Sequence, residues 1–189
     1  MEALLISTGI VALAEIGDKT QLLALVLAAK YRKPVPIILG ILVATLANHA
    51  LAGAVGAWIS ATIGPVIMRW VLGVSFIAMA IWTLIPDKLD EETEPKPPRF
   101  GIFGATVIAF FLLEMGDKTQ IATIALAAKY SSLTMVVAGT TLGMMLANVP
   151  AVLLGEVAAR KLPMKLVHGI AAAIFFVLGV TVLAGYGGF

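Results

Sequence analysis

The chain has 189 residues, 60% of them hydrophobic and 13% charged, with a formal net charge of +2. Soluble domains carry about 25% charged residues, so the composition excludes an ordinary water-soluble enzyme or nucleic-acid-binding domain and places most of the chain in lipid. There is no cysteine and there are two histidines, which removes disulfides and thiolate metal sites and leaves little for an imidazole site.

Six hydrophobic segments follow in chain order, at 3–29, 35–59, 65–85, 101–128, 132–155 and 164–187. Each is close to or above the roughly 20 apolar residues that a spanning helix needs. The first starts almost at Met1, has no basic leader and contains a charged motif, so it reads as a permanent transmembrane helix rather than a cleavable signal. Pro34, Pro36, Gly64-Pro65, Pro86 and Pro163 punctuate the segment ends. Between the third and fourth segments, the run from Asp87 to Arg99 is rich in charge and proline. It cannot bury a core, so its acidic cluster reads as a solvated linker rather than a metal site. The expected fold is an all-α membrane protein of six transmembrane helices in two inverted three-helix repeats. Residues 1–86 form the first repeat, 87–100 the linker and 101–189 the second.

Basic residues set the orientation. Lys30, Arg32, Lys33, Lys88, Lys96, Arg99, Arg160, Lys161 and Lys165 crowd one side, and Arg69 and Lys129 lie on the other. The crowded side is expected to be cytoplasmic, in an inner (cell) membrane, with both termini outside. Trp58, Trp70, Trp82, Tyr31, Tyr130 and Tyr186 fall near segment ends, where aromatic belts form. Three helices per half make the halves cross in opposite senses, so the fold is an inverted repeat with its pseudo-two-fold axis in the membrane plane.

The repeat carries a motif. Glu15-Ile16-Gly17-Asp18-Lys19-Thr20-Gln21 returns as Glu114-Met115-Gly116-Asp117-Lys118-Thr119-Gln120, 99 positions later (114 − 15). Leu27-Ala28-Ala29-Lys30-Tyr31 likewise matches Leu126-Ala127-Ala128-Lys129-Tyr130. At 1.5 Å per residue both motifs begin roughly 20 Å along their helices, near mid-membrane. On a continuous helix Glu15 and Asp18 are neighbours on one face, with Lys19 on the same arc. Gly17 and Gly116 admit two readings: close approach of a neighbouring helix, or local unwinding that exposes carbonyls to an ion.

Six ionisable motif side chains in hydrocarbon would cost roughly 15–21 kcal/mol at about 2.5–3.5 each, so they must face one another, a cavity or an ion. Four carboxylates against two ammonium groups leave two negative charges, which a divalent cation would neutralise. Glu15, Asp18, Glu114 and Asp117 are the expected ligands, with Thr20, Gln21, Thr119, Gln120, Lys19 and Lys118 in support. This oxygen-rich set suits Ca²⁺, Mg²⁺ or Mn²⁺. Asn48 and Asn148, in matching Leu-Ala-Asn runs of the second and fifth helices, either coordinate the ion or hydrogen-bond between helices. His49 reads as a neutral packing residue, Glu156 as the partner of Arg160, and the methionines as packing. A salt-bridge network alone would pair Glu15 with Lys19 and Glu114 with Lys118, but leaves the excess of acid unexplained.

On these residues the chain resembles the cation/proton exchangers with two E-x-G-D-K-[S/T] motifs, found in bacteria, plastids and the Golgi. The likeness covers essentially the whole chain. It implies export of Mn²⁺, or transport of Ca²⁺, in exchange for protons, with the motif acids as the cation site, and the compact form is similar to that of bacterial manganese exporters. The expected partners are thus the divalent cation as substrate, protons and the bilayer. No prosthetic group, nucleic acid or enzymatic activity is expected. An exporter of a small organic cation such as a basic amino acid, and a non-transporting membrane scaffold, are the rival readings.

Overall fold

Proline and glycine set the helix boundaries. Pro34 and Pro65 stand in the first turns of their helices, where a missing N–H costs nothing, and Arg32 ends the preceding helix in the left-handed region at φ 51°. The computed structural model describes residues 1–85, 100–154 and 164–186. Among these are eight helices: α1 (Glu2–Glu15), α2 (Lys19–Tyr31), α3 (Pro34–Thr62), α4 (Pro65–Thr83), α5 (Gly101–Glu114), α6 (Lys118–Lys129), α7 (Leu133–Leu154) and α8 (Met164–Leu183). The fold is all-helical over the described residues. The expected linker, the Glu156–Arg160 pair, Pro86 and Pro163 lie outside them.

Four helices, α3, α4, α7 and α8, are long and apolar enough to cross a membrane. Large apolar side chains such as Leu51, Trp58, Val66, Leu146 and Phe176 stand exposed on them. In water such a surface would be a liability; in hydrocarbon it is the solvated face.

The first and fourth hydrophobic segments depart from the continuous helices read in the sequence. Each is two short helices, of 14 and 13 residues in α1 and α2 and of 14 and 12 in α5 and α6. The breaks coincide with the two motifs. Gly17 at φ 85° and Gly116 at φ 79° adopt the left-handed conformation, which glycine reaches without a Cβ penalty. Local unwinding is therefore the reading that holds.

Close helix contacts occur at glycines. A Cβ on Gly139 would meet Leu4 and Ser7, and one on Gly143 would meet Thr8, Val11 and Ala12, so α1 lies backbone-to-backbone on α7. Further along, Gln21 donates to the Ala147 carbonyl, so α2 continues past the break in the same sense along α7. The other half repeats this: Phe103 and Thr106 meet Gly40, Asn48 donates to the Phe111 carbonyl, and Ile124 meets Gly56. Hence α5 and α6 run along α3 as α1 and α2 run along α7. Each half thus clasps the other. Tyr130, at the end of α6, donates to Glu2 at the start of α1 over 3.3 Å, so the two broken helices run in opposite senses. Finally α4 crosses α8, with Phe76 and Phe175 stacked at 6.4 Å.

Candidate metal centre

Each motif folds around its glycine. Ile16 (ψ 113°) and Met115 (ψ 119°) leave the helix in extended conformation, and the turn closes through Asp18 N–H to the Glu15 carbonyl at 3.0 Å and Asp117 N–H to the Glu114 carbonyl at 3.1 Å. Gln21 and Gln120 reach back, their Oε1 atoms accepting from the Gly17 and Gly116 N–H groups at 2.9 and 2.7 Å. Asp18 and Asp117 then become the N-caps of α2 and α6. The C-terminal ends of α1 and α5 carry partial negative charge, and the N-terminal ends of α2 and α6 partial positive charge. One pair of ends favours a cation, the other the two aspartates.

The break overturns the helical-face geometry expected from the sequence, because Glu15 and Asp18 no longer share a continuous helix. It also overturns the local ion pairs. Lys19 Nζ lies 2.9 Å from Asp117 Oδ1, and Lys118 Nζ lies 2.8 Å from Asp18 Oδ1. The lysine of each motif therefore meets the aspartate of the other, and the pairs cross between the halves. They are unequal: Lys19 keeps 24% of its side-chain exposure and Lys118 only 3%.

The glutamates take no part in ion pairs among the described residues. Thr20 Oγ1 donates to Glu15 Oε2 at 2.5 Å, and Thr119 Oγ1 donates to Glu114 Oε1. The second oxygens, Glu15 Oε1 and Glu114 Oε2, are buried without a hydrogen-bond donor among the described residues, as is Asp117 Oδ2. A carboxylate oxygen from each of Glu15, Glu114 and Asp117 lies within 4.8 Å of the others. Buried oxygens gathered this closely repel unless protons or a cation stand between them. Three of the four expected ligands thus converge, while Asp18 stands with Lys118.

The supporting residues are placed unequally. Asn48 Oδ1 accepts from Gln120 Nε2, tying α3 to the second motif. Asn148 turns its Nδ2 to the Met144 carbonyl at 3.1 Å and to Met144 Sδ at 3.0 Å, and its buried Oδ1 has no donor among the described residues. His49 is fully buried, and neither ring nitrogen has a hydrogen-bond partner among the described residues.

The same doubled arrangement marks a known family. The profile of the divalent cation/proton antiporter GDT1 matches residues 3–91 and 102–187, covering both motifs and both halves. The chain belongs to this family. Among curated relatives, a Vibrio cholerae protein named "Putative manganese exporter" is 55% identical over 181 residues, 95% of this chain and 90% of that one. A GDT1-like protein of Synechocystis is 26% identical over 203 residues, 90% of this chain and 91% of that one. No solved structure matches. Membership in the GDT1 family, with several apolar helices, makes the chain a multi-pass membrane protein of a cation-transporter family.

The sequence reading passed over His168. Its Nε2 lies 3.0 Å from the Ile16 carbonyl oxygen, in the first break.

Proposed function

We propose that this GDT1-family protein exports a divalent cation, Mn²⁺ in preference to Ca²⁺, from the cytoplasm in exchange for protons. The carrying observation is that a carboxylate oxygen from each of Glu15, Glu114 and Asp117 lies within 4.8 Å of the others, and that each of these buried carboxylates keeps an oxygen with no hydrogen-bond donor among the described residues. With Lys19 and Lys118 matched to Asp117 and Asp18, the two glutamates supply the two negative charges that a divalent ion balances. Glu15, Asp18, Glu114 and Asp117 form the ligand set, Asp18 joining when Lys118 releases it. Asn148 Oδ1 and the end carbonyls of α1 and α5 supply further hard oxygen donors. The preference for Mn²⁺ rests on the 55% identical relative and its name.

The architecture is six spans in two inverted repeats, 1–86 and 101–189, joined by a cytoplasmic segment at 87–100, with both termini outside an inner membrane. Each broken pair, α1–α2 and α5–α6, counts as one span. Their opposite senses and reciprocal packing on α7 and α3 support this.

The mechanism is competition for the same oxygens. A cation entering from the cytoplasm displaces protons from the paired glutamates. The broken helices rock, the site opens outward, and protons from outside take the carboxylates and release the metal. The Lys19–Asp117 pair keeps the halves joined while Lys118 releases Asp18 and the glutamates exchange their charge. A basic amino acid fits this site poorly, since three carboxylate oxygens within 4.8 Å are spaced for an ion and both motif lysines already face aspartates.

The test is Mn²⁺ and Ca²⁺ flux into proteoliposomes under an imposed pH gradient, beside Glu114→Gln. Gradient-driven Mn²⁺ movement exceeding that of Ca²⁺, and lost in the variant, is expected. Full flux in a folded Glu114→Gln protein would refute the ligand assignment.

A further inference from the structure

The last helix of each half repeats in a register of its own. Val71-Leu72-Gly73-Val74 of α4 recurs as Val177-Leu178-Gly179-Val180 of α8, 106 positions on (177 − 71), where the motifs repeat at 99. The packing keeps that register: a Cβ on Gly73 would meet Leu183, and one on Gly179 would meet Ile77, the match of Leu183 (183 − 77 = 106). Counted this way Pro65, the first residue of α4, corresponds to Ala171 (65 + 106). The stretch 164–170 at the start of α8 therefore has no equivalent in α4. It adds about two helical turns.

That added stretch carries His168 to the first break, its Nε2 3.0 Å from the Ile16 carbonyl oxygen. Ile16 is extended, so its carbonyl has left the α1 ladder and lost the partner a helix would provide. A carbonyl oxygen can only accept, so the ring nitrogen facing it carries the proton. The two breaks are otherwise built alike. The Gly17 and Gly116 N–H groups both reach the motif glutamine, and the Asp18 and Asp117 N–H groups both return to the motif glutamate. Their surroundings differ. The helix before the first break, α1, packs on α6, α7 and α8, whereas α5 packs chiefly on α2 and α3. Met115, the match of Ile16, is 56% exposed, and a Cβ on Gly116 would stand in open space. Asn48 ties α3 to Gln120 and to the Phe111 carbonyl, which belong to the flanking helices rather than to the unwound residue.

We propose that His168 is a positioning residue that pins the first break, making the first motif the fixed wall of the cation site and the second its moving wall. Glu15 stands where α8 holds it, and the rocking of the antiport cycle is carried by α5 with Glu114. His168 acts on the site only through the Ile16 main chain, one residue beyond that carboxylate. The moving wall rests on the antiport reading; the pinned break rests on the contact alone.

Hydrogen–deuterium exchange of the full chain in detergent, read by mass spectrometry, reports opening at the matched amides of Gly17 and Asp18 and of Gly116 and Asp117. It would be run on the native protein, His168→Leu and His168→Gln, with concentration-dependent Mn²⁺ flux in proteoliposomes alongside. In the native protein the first pair should exchange more slowly than the second. Losing one net hydrogen bond moves an opening equilibrium about 2- to 10-fold. His168→Leu should therefore speed exchange at Gly17 and Asp18 by a factor in that range and leave Gly116 and Asp117 unchanged. It should raise the half-saturating Mn²⁺ concentration by the same factor, because fewer molecules hold Glu15 in place, with maximal flux kept because α5 still moves. His168→Gln, which keeps an N–H donor at similar reach, should restore both. Equal native exchange at the two breaks, an absent or uniform response to leucine, or failure of glutamine to restore would overturn the proposal. So would loss of maximal flux with half-saturation unchanged. Should the native protein move neither Mn²⁺ nor Ca²⁺ while the exchange pattern holds, the antiport reading falls and the pinning of the first break stands.

Discussion

Asp18 and Asp117 occupy matching motif positions, but their lysine partners differ in environment, and the difference is testable. Asp18→Asn removes the 2.8 Å partner of Lys118, whose side chain is 3% exposed. Breaking a buried pair from one side costs about 3–5 kcal/mol, so this variant should lose stability strongly in thermal unfolding, with Lys118→Met restoring part of it. Asp117→Asn faces Lys19, which is 24% exposed and can turn toward water. It should cost only about 1 kcal/mol while still abolishing Mn²⁺ flux, because Asp117 belongs to the converging carboxylates. Equal stability losses in the two variants would contradict the asymmetry. Thr119 acts through Glu114, holding one of its oxygens while the other has no hydrogen-bond donor among the described residues. Removing such an orienting partner typically weakens metal affinity about 10- to 100-fold. Thr119→Val should raise the half-saturating Mn²⁺ concentration by that order with normal folding, as measured by concentration-dependent flux.

At the scale of elements, the breaks matter more than the helices. Gly116 has φ 79° and open space where a Cβ would stand, so Gly116→Ala meets only backbone strain, about 1 kcal/mol. It favours rejoining α5 with α6 and should depress transport far more than it depresses the unfolding midpoint. Gly56 is the opposite case: a Cβ there would run into the Ile124 carbonyl and Ala127. Gly56→Leu should force α3 off α6 and destabilise by about 1–3 kcal/mol, with transport falling only as folded protein is lost. Helix existence and boundaries were legible from the prolines, the apolar runs and the repeated motif. The breaks were legible only as one of two uses of Gly17 and Gly116. The choice depends on φ, which follows from how the motif's own glutamine side chain and aspartate N–H satisfy the freed backbone. Helical spacing assumed a continuous ladder, and so it paired Glu15 with Lys19 where the chain pairs Lys19 with Asp117.

For the whole molecule, the clasp between halves predicts behaviour that neither half has alone. Each half's broken helix packs on the other's long helix, and the crossed ion pairs lie between them. Mn²⁺ binding at their junction should therefore stabilise the complete protein, by about 2.7 kcal/mol at a hundredfold excess over the dissociation constant. Thermal unfolding in detergent with and without Mn²⁺ reads this directly. The gain should vanish in Glu15→Gln combined with Glu114→Gln, and a metal-dependent gain surviving there would move the site elsewhere.

The amino-acid sequence by itself determined the membrane class, the repeated motif and the family, because these depend on composition and spacing, which are properties of the unfolded chain. It also pointed to Glu15, Asp18, Glu114 and Asp117 together, since ionised groups in lipid-length segments are costly wherever they end up. That carboxylate oxygens of Glu15, Glu114 and Asp117 converge while Asp18 faces Lys118 came from the packing. Only the tertiary structure decided which lysine meets which aspartate, that Asn48 reaches the Phe111 carbonyl and Gln120, and that His168 joins the motif's own residues at the first break. These contacts join residues 63 to 152 positions apart. Their partners are chosen by how two clasped halves pack, and no local pattern along the chain encodes that.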